Sequence, residues 1–327
     1  MMADMLTLYM TSGLSKSGGI VHGIVSAVAE SFLDAKGRSL ITKSMQAKSL
    51  HRLADWGLHA HQLKKYGSTE DYHYMNTKDK PRNTCSFDDA RDCPNGNCLV
   101  GAISKYTRYF TDTDTLSTFD LRDALPFLVH LLIDVSIPLH SSGREKNGRS
   151  VNGTYGTERL SFHSMFESSI PRQRINTDFK GTSVLYMRYL IGLIKDEQGS
   201  GTGSVMSNKS GWLTKHEITA QNDRGNSLAA IEWATEGNSI SCRAIWPAYD
   251  ANPDQNFNAE FYQKMIPMVD QQLAKAAYRL AFWINSIAAL VCKDIKCVDS
   301  TSTAFDGSGG WMTLIAVPFM LALTLLG

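Results

Sequence analysis

The chain has 327 residues, of which 43% are apolar and 20% are charged, and its formal net charge is +1. This composition excludes a mainly disordered protein, and the length is sufficient for a large hydrophobic core. The near-neutral charge argues against a protein that holds nucleic acid on a wide basic surface, and six cysteines are too few for a disulfide-built miniprotein.

The N-terminal part of the chain predicts one helix. Segment 1–17 has no clear signal peptide, because its apolar run at 5–10 is short and follows no basic residue. A helix is predicted over 19–33, where apolar residues recur at helical spacing. His22 lies on the apolar face of this helix, where a histidine is typical of the core and is also available as a ligand.

The strongest local motif is FLVHLLIDVSIPLH, within a long apolar helix predicted over 118–135. Pro126 should kink this helix or mark its beginning. His130 and Asp134 are four residues apart and share one helix face, where an unpaired carboxylate would be costly to bury. A divalent cation would satisfy both, and the turn at Pro138 offers His140 as a third ligand. The alternative is a buried histidine–aspartate hydrogen bond without metal.

Weaker candidates extend this ligand set. His163 and Glu167 repeat the spacing of four, which is also common on helix surfaces. Asp55 is alternatively a helix-end carboxylate, and His73 a loop histidine. The complete set is His22, Asp55, His73, His130, Asp134, His140, His163 and Glu167. Nitrogen and oxygen ligands of this kind suit zinc, which activates water at an open coordination position.

The rest of the pattern is also largely helical. A third long helix is predicted over 256–289, loops are predicted at 76–97, 141–157 and 198–211, and strand-like runs are few and short. The fold class is therefore predicted to be all-α, with a single mainly helical domain over 18–290.

An uncharged tail follows this domain. A small-residue and polar linker over 291–310 leads into a hydrophobic segment at 311–327. We expect this tail to be a lipid-anchor signal or a short transmembrane helix. A buried terminal helix is the third alternative, which Pro318 disfavours.

These motifs resemble those of the class I, single-strand-specific zinc nucleases and 3′-nucleotidases. The resemblance covers about 18–287 and rests on FLVHLLIDVSIPLH, on TCSFDDARDCPNGNC at 84–98 and on AKAAYRLAFWIN at 274–285. It implies a helical, phospholipase C-like fold with three clustered zinc ions. It also implies hydrolysis of single-stranded DNA or RNA and of 3′-nucleotides, with 5′-phosphate products.

The resemblance distributes the ligands over three metals. It assigns to the first zinc Asp55, His73, His130 and Asp134, to the second His140, His163 and Glu167, and to the third the bridging Asp134 with His22 and an N-terminal tryptophan. It gives catalytic roles to Asp55, Asp134 and Asn152, and base contacts to Tyr74 and Asn76.

Three positions depart from the family pattern. Ser17 stands where the family has its terminal tryptophan, Glu167 replaces an aspartate, and Leu58 replaces a basic residue that holds the scissile phosphate. We therefore expect two or three zinc ions. The alternative to an active enzyme is a degenerate, weakly active or inactive member that acts as a zinc- or nucleotide-binding surface protein.

The resemblance also implies the disulfides and the compartment. It pairs Cys85 with Cys242 and Cys93 with Cys98, and Cys292 with Cys297 is expected as an additional pair. Such bonds indicate the secretory pathway, the cell surface or the extracellular space, with the tail as membrane anchor. Asn208 is the expected glycosylation site, whereas the sequon at Asn152 is expected to stay unmodified. A monomer is expected.

Overall fold

The computed structural model describes residues 19–44, 49–60, 64–79, 84–111, 121–195, 211–214, 223–252, 254–257 and 259–291. The α-helices, in chain order, are α1 (Ile20–Glu30), α2 (Ala35–Ser39), α3 (Leu50–Ala60), α4 (Asp89–Asp92), α5 (Leu99–Thr111), α6 (Leu121–Asp134), α7 (Phe162–Ser164), α8 (Ile170–Asp178), α9 (Ser183–Lys195), α10 (Asp223–Ile240), α11 (Trp246–Asp250) and α12 (Ala259–Val291). Short 3₁₀ segments lie at Lys64–His73, Pro94–Gly96 and Pro138–Ser141, and π segments at Leu40–Ser44, Met165–Ser169 and Ser241–Ile245. The predicted tail, segment 1–17, Cys292, Cys297 and Asn208 lie outside the described residues.

Helix α6 forms the centre of the fold. All of its residues from 124 to 134 are buried, as expected of a helix that is apolar on nearly every side. Helices α3, α5 and α12 pack against it, and α1 packs against α12 and α3. The mainly helical fold class predicted from the sequence is therefore confirmed. This packing also places the polar exceptions of α6, His130 and Asp134, inside the molecule.

The structure excludes one alternative at Pro126 and corrects one predicted helix boundary. Helix α6 runs through Pro126, so this proline does not mark its beginning. The predicted helix at 256–289 starts with a strand instead, because Asn256–Phe257 pairs with a neighbouring strand before α12 begins. Burial of Phe257 in the aromatic core stabilises that extended start.

A small three-stranded sheet precedes the segment that carries His163. Strands β1 (Asn152–Tyr155) and β2 (Glu158–Ser161) form an antiparallel hairpin, and β3 (Asn256–Phe257) pairs in parallel with β1. At the end of β2, the Ser161 hydroxyl accepts a hydrogen bond from the backbone of Ser164 and caps α7. The hairpin thereby fixes where His163 enters the core.

Both disulfides implied by the resemblance are present. Cys85 and Cys242 are bonded with their Cα atoms 5.8 Å apart, and Cys93 and Cys98 are bonded at 5.4 Å. The shorter loop is held against the chain near the pocket, because the Leu99 amide donates to the Tyr74 carbonyl at 3.1 Å. Within the described residues, no helix combines the length and hydrophobicity that a membrane span requires.

The buried carboxylate of Glu30 predicts a pH dependence of stability. Glu30 is 5% exposed at the end of α1 and accepts a hydrogen bond from the Leu50 amide. Burial outweighs that bond and raises the pKa of Glu30 to about 7 from 4.5. Because the folded state holds this proton more tightly, its stabilising contribution is complete below pH 4.5 and is lost as the pH rises through 7.

Between pH 5 and pH 8, we expect the free energy of unfolding of the wild type to fall by about 2 kcal/mol more than that of Glu30→Gln. Urea unfolding at the two pH values measures this difference. Glu158→Gln, at an exposed position of β2, is the matched control. If the wild type and Glu30→Gln show the same pH dependence, Glu30 does not titrate in this range.

Candidate metal centre

A pocket of about 270 Å³ gathers most of the predicted ligands. It is lined by His22, Glu70, His73, Tyr74, His130, Asp134, His140, Arg149, His163, Ser164, Glu167 and Ser168. Ten of these residues come from α1, α6, α7, the 3₁₀ segments Lys64–His73 and Pro138–Ser141, and the π segment Met165–Ser169, whereas Tyr74 and Arg149 lie in loops. The pocket thus lies where distant parts of the sequence converge.

The first ligand group is centred on Asp134, whose side chain is 0% exposed. One carboxylate oxygen lies 2.9 Å from His22 Nε2, and the other lies 3.4 Å from His130 Nε2. The rings of His22 and His130 stack with their centroids 4.0 Å apart. His73 Nδ1 also lies 2.8 Å from Asp134, so three histidines converge on one buried carboxylate.

The second ligand group consists of His140, His163 and Glu167. His140 Nε2 is 2.9 Å from Glu167 Oε1, and His163 Nε2 is 3.9 Å from the same oxygen. The sequence predicts an ordinary helix for the latter pair, but Glu167 lies in a π segment that follows α7 directly. Such wider turns occur often at functional sites, because they redirect a side chain without ending the helix.

Backbone carbonyls orient three of the histidines. His130 donates from Nδ1 to the Ala54 carbonyl at 3.0 Å, and His163 donates from Nδ1 to the Asn147 carbonyl at 3.0 Å. His140 donates from Nδ1 to the His73 carbonyl at 2.6 Å. Each bond leaves Nε2 facing the carboxylates. Histidine ligands of metals are typically fixed in this way.

The two groups form one cluster. His140 Nδ1 lies 3.7 Å from Asp134, and His22 Nδ1 lies 3.8 Å from Glu167 Oε2. His22 Nδ1 is buried and has no hydrogen-bond partner among the described residues. A zinc ion sits about 2 Å from nitrogen and oxygen ligands, so a ligand pair about 3 to 4 Å apart suits a shared cation. The donor set and this orphaned nitrogen therefore fit zinc.

The cluster favours ionised carboxylates despite its burial. Burial alone would raise the pKa of Asp134, but the surrounding histidines bring it well below its ordinary value. The pKa of Glu167 is likewise lowered, through His140 above all. Burial lowers the pKa of His163 to about 4. At His140, the nearby carboxylates of Asp134 and Glu167 outweigh the effect of burial and raise the pKa to about 9. The pocket therefore presents two carboxylates and a neutral His163 to a cation.

Of the three residues with predicted catalytic roles, Asp134 lines the pocket, whereas Asp55 and Asn152 are not among its described lining residues. Asp55 is exposed on α3 and is absent from the lining of the metal pocket as far as the described residues show. Its neighbour Ala54 is fully buried, and the Ala54 carbonyl accepts a hydrogen bond from His130. Because consecutive side chains on a helix point about 100° apart, Asp55 faces a different direction from Ala54. Asn152 is exposed at the start of β1 and is also absent from that lining. The roles of Asp55 and Asn152 stay predictions.

Of the two residues predicted to contact a base, Tyr74 lines the pocket and Asn76 is not among its described lining residues. Tyr74 lines the pocket, and its ring stacks on His140 with centroids 5.0 Å apart. Burial raises its pKa, so the phenol stays neutral. Asn76 is exposed with a φ of 41°, beyond the lining of the pocket in the described part of the chain. The side chain of Leu58 lies outside what the structure describes.

Sequence reasoning missed Arg149 and Glu70. The Arg149 guanidinium lies 3.9 Å from the centroid of the Tyr74 ring, and its Nη1 is 3.5 Å from Glu70 Oε1. Arg149 is the one arginine or lysine among the described lining residues of this pocket. It lies in the predicted loop at 141–157, where no motif distinguishes it from neighbouring basic residues. Only the folded position after Gly148, which packs against His163, brings it to the pocket.

Comparison with known proteins is consistent with this site. A family model described as S1/P1 Nuclease matches residues 17–289. Nuclease S1 of Aspergillus oryzae is 27% identical over 278 residues, which cover 83% of this chain and 92% of that protein. Nuclease P1 of Penicillium citrinum is 27% identical over 275 residues, covering 83% and 97% respectively. Endonuclease 2 of Arabidopsis thaliana is 26% identical over 291 residues, covering 86% and 93%.

Proposed function

The chain belongs to the S1/P1 nuclease family, and we propose that it is a zinc-dependent hydrolase of single-stranded nucleic acids and 3′-nucleotides that leaves 5′-phosphates. The observation that carries this proposal is the buried Asp134 carboxylate, which three histidines approach within 3.4 Å. A buried carboxylate with this donor set is typical of a metal site rather than of a structural hydrogen bond.

Two sets of residues would hold the metal. The first set is His22, His73, His130 and Asp134, and the second is His140, His163 and Glu167. Zinc supplies Lewis-acid stabilisation of phosphoryl oxygens and lowers the pKa of water toward about 7. A third zinc, which the family resemblance implies, depends on chain preceding His22 that lies outside the described residues.

The chain itself would position the substrate. Asp134 belongs to the first set and lies near His140 of the second, so it fixes the spacing of the two sets. Arg149 supplies a cation at the pocket to bind the phosphate, in place of the basic residue that Leu58 replaces. The guanidinium covers the Tyr74 ring in the structure, so a base stacks on Tyr74 only after Arg149 has moved toward the phosphate. We propose that phosphate binding and base stacking are coupled in this way.

The second candidate function is a degenerate family member that binds zinc or nucleotides without useful turnover. The exposed position of Asp55 favours it, because the family resemblance makes this aspartate a ligand of the first zinc. The substitutions at Leu58 and Ser17 point in the same direction. Both candidates predict metal binding, so only turnover separates them.

Metal analysis combined with hydrolysis assays tests the proposed function. We expect two or three zinc ions per chain, together with cleavage of single-stranded DNA and release of phosphate from 3′-AMP. EDTA should abolish both reactions, and added zinc should restore them. No turnover of either substrate by the zinc-loaded protein would support the degenerate member instead.

The compartment and the attachment are proposed on separate grounds. The two disulfides indicate an oxidising compartment, which supports the secretory pathway or the cell exterior. Membrane attachment by segment 311–327, glycosylation at Asn208 and a monomeric state stay predictions. Treatment of surface-labelled cells with a phospholipase that cuts lipid anchors would release the protein if the tail is an anchor signal.

A further inference from the structure

A second and larger cavity adjoins the segment that carries the metal ligand His73. Its volume is about 580 Å³, and Tyr72 contributes to its wall. The two residues that follow Tyr72 in the chain, His73 and Tyr74, line the metal pocket instead. The two cavities therefore adjoin at segment 72–74.

The wall of the second cavity presents cations beside aromatic hydroxyls. Lys105 Nζ lies 3.2 Å from the Tyr72 hydroxyl and 5.2 Å from the centroid of the Tyr72 ring. Arg108 follows Lys105 by three residues on α5, so both lie on the same helix face. Both cations are exposed. Tyr109, which is half-buried, adds a second aromatic ring to the same cavity.

The charge of the described lining residues is also suitable for an anion. Asp89 is the one carboxylate among them, against the two cations Lys105 and Arg108. The Lys105 ammonium and the Tyr72 hydroxyl both offer hydrogens at one place, which a phosphodiester oxygen would accept. Cations combined with tyrosine rings in a groove are the usual means of holding single-stranded nucleic acid without base specificity.

We propose that this cavity is a second polynucleotide subsite, in which Lys105, Arg108 and the Tyr72 hydroxyl bind a backbone phosphate remote from the scissile one. The inference rests on the proposed nuclease function and deepens it. The subsite would contribute to affinity for oligonucleotides and would contribute nothing to 3′-mononucleotides, which end at the metal pocket. The near-neutral net charge of the chain is compatible with it, because the cations are local rather than spread over a wide surface.

The test compares Lys105→Gln/Arg108→Gln with the charge-matched control Arg188→Gln/Lys264→Gln. The control residues are exposed on α9 and α12. We expect the first double variant to lower kcat/KM for the oligonucleotide dT12 about tenfold and to leave 3′-AMP hydrolysis unchanged. Equal losses on both substrates, or no loss on either, would overturn the subsite.

A binding measurement separates failure of the subsite from failure of the proposed function. Fluorescence anisotropy of labelled dT12 with phosphorothioate linkages, which resist hydrolysis, measures binding to the zinc-loaded protein without turnover. We expect the Lys105→Gln/Arg108→Gln variant to bind about tenfold more weakly than the control. Its slope of log affinity against log salt should be shallower by about 0.7, since the loss of one phosphate contact on a single strand changes the slope by about 0.7. Affinity and slope equal to those of the control would refute the subsite whether or not the protein is an active nuclease.

Discussion

Asp134→Ala is expected to remove bound zinc and nuclease activity together. Asp134 is fully buried and lies within 4 Å of four histidines, namely His22, His73, His130 and His140. Its contact with His140 at 3.7 Å also links the first ligand group to the second. Its loss leaves the first group without an anionic ligand and removes several kcal/mol of transition-state stabilisation, which corresponds to a roughly 1000-fold loss of kcat or more.

The control for this prediction is another buried carboxylate. Asp270 is 3% exposed, accepts a hydrogen bond from the Tyr186 hydroxyl and pairs with Arg174, far from the ligand groups in sequence. Asp270→Ala is expected to lower the free energy of unfolding and to keep its zinc. Zinc content by atomic absorption, measured on folded protein of each variant, distinguishes the two. Unchanged zinc content in Asp134→Ala would disprove the linking role of Asp134.

The two candidate ligands on α6 could be predicted, because their positions depend on local helix geometry. The spacing of His130 and Asp134 on an apolar helix fixes a shared face, and burial then requires a partner. The position of His140 also follows from the sequence, because the chain turns at Pro138 directly after the helix. These three residues reach the pocket on one continuous piece of chain.

Other features of the site could not be predicted, since they depend on long-range packing. The sequence does not show that Glu167 lies in a π segment, which reflects packing of the chain after β2. Nor does it show that the Ala54 carbonyl accepts a hydrogen bond from His130 while the neighbouring Asp55 is exposed. Arg149 reaches the pocket only because the loop before β1 folds back over Tyr74. Spacing along the chain carries no information about such contacts.

Arg149→Met is expected to lower kcat/KM about 10- to 100-fold for both single-stranded DNA and 3′-AMP. A hydrogen bond to a charged group contributes about 1.5 to 3 kcal/mol, and the phosphate would lose such a contact. Both substrates carry the reacting phosphate, so both should lose activity to a similar extent. This pattern differs from that expected for Lys105 and Arg108, whose replacement should affect the oligonucleotide alone.

The replacement also separates the two roles proposed for Arg149. Methionine keeps much of the length of arginine but removes the charge, and Arg149→Lys keeps the charge but loses the planar group that covers Tyr74. If the guanidinium only shields the ring, both variants should expose Tyr74 and bind nucleosides, which lack phosphate, more tightly than the wild type does. If it binds phosphate, Arg149→Lys should keep most of the activity that Arg149→Met loses. Arg159→Met, at an exposed position of β2, is the matched control. Full activity of Arg149→Met on both substrates would contradict phosphate binding by Arg149. Zinc alone would then account for the affinity of the pocket for phosphate.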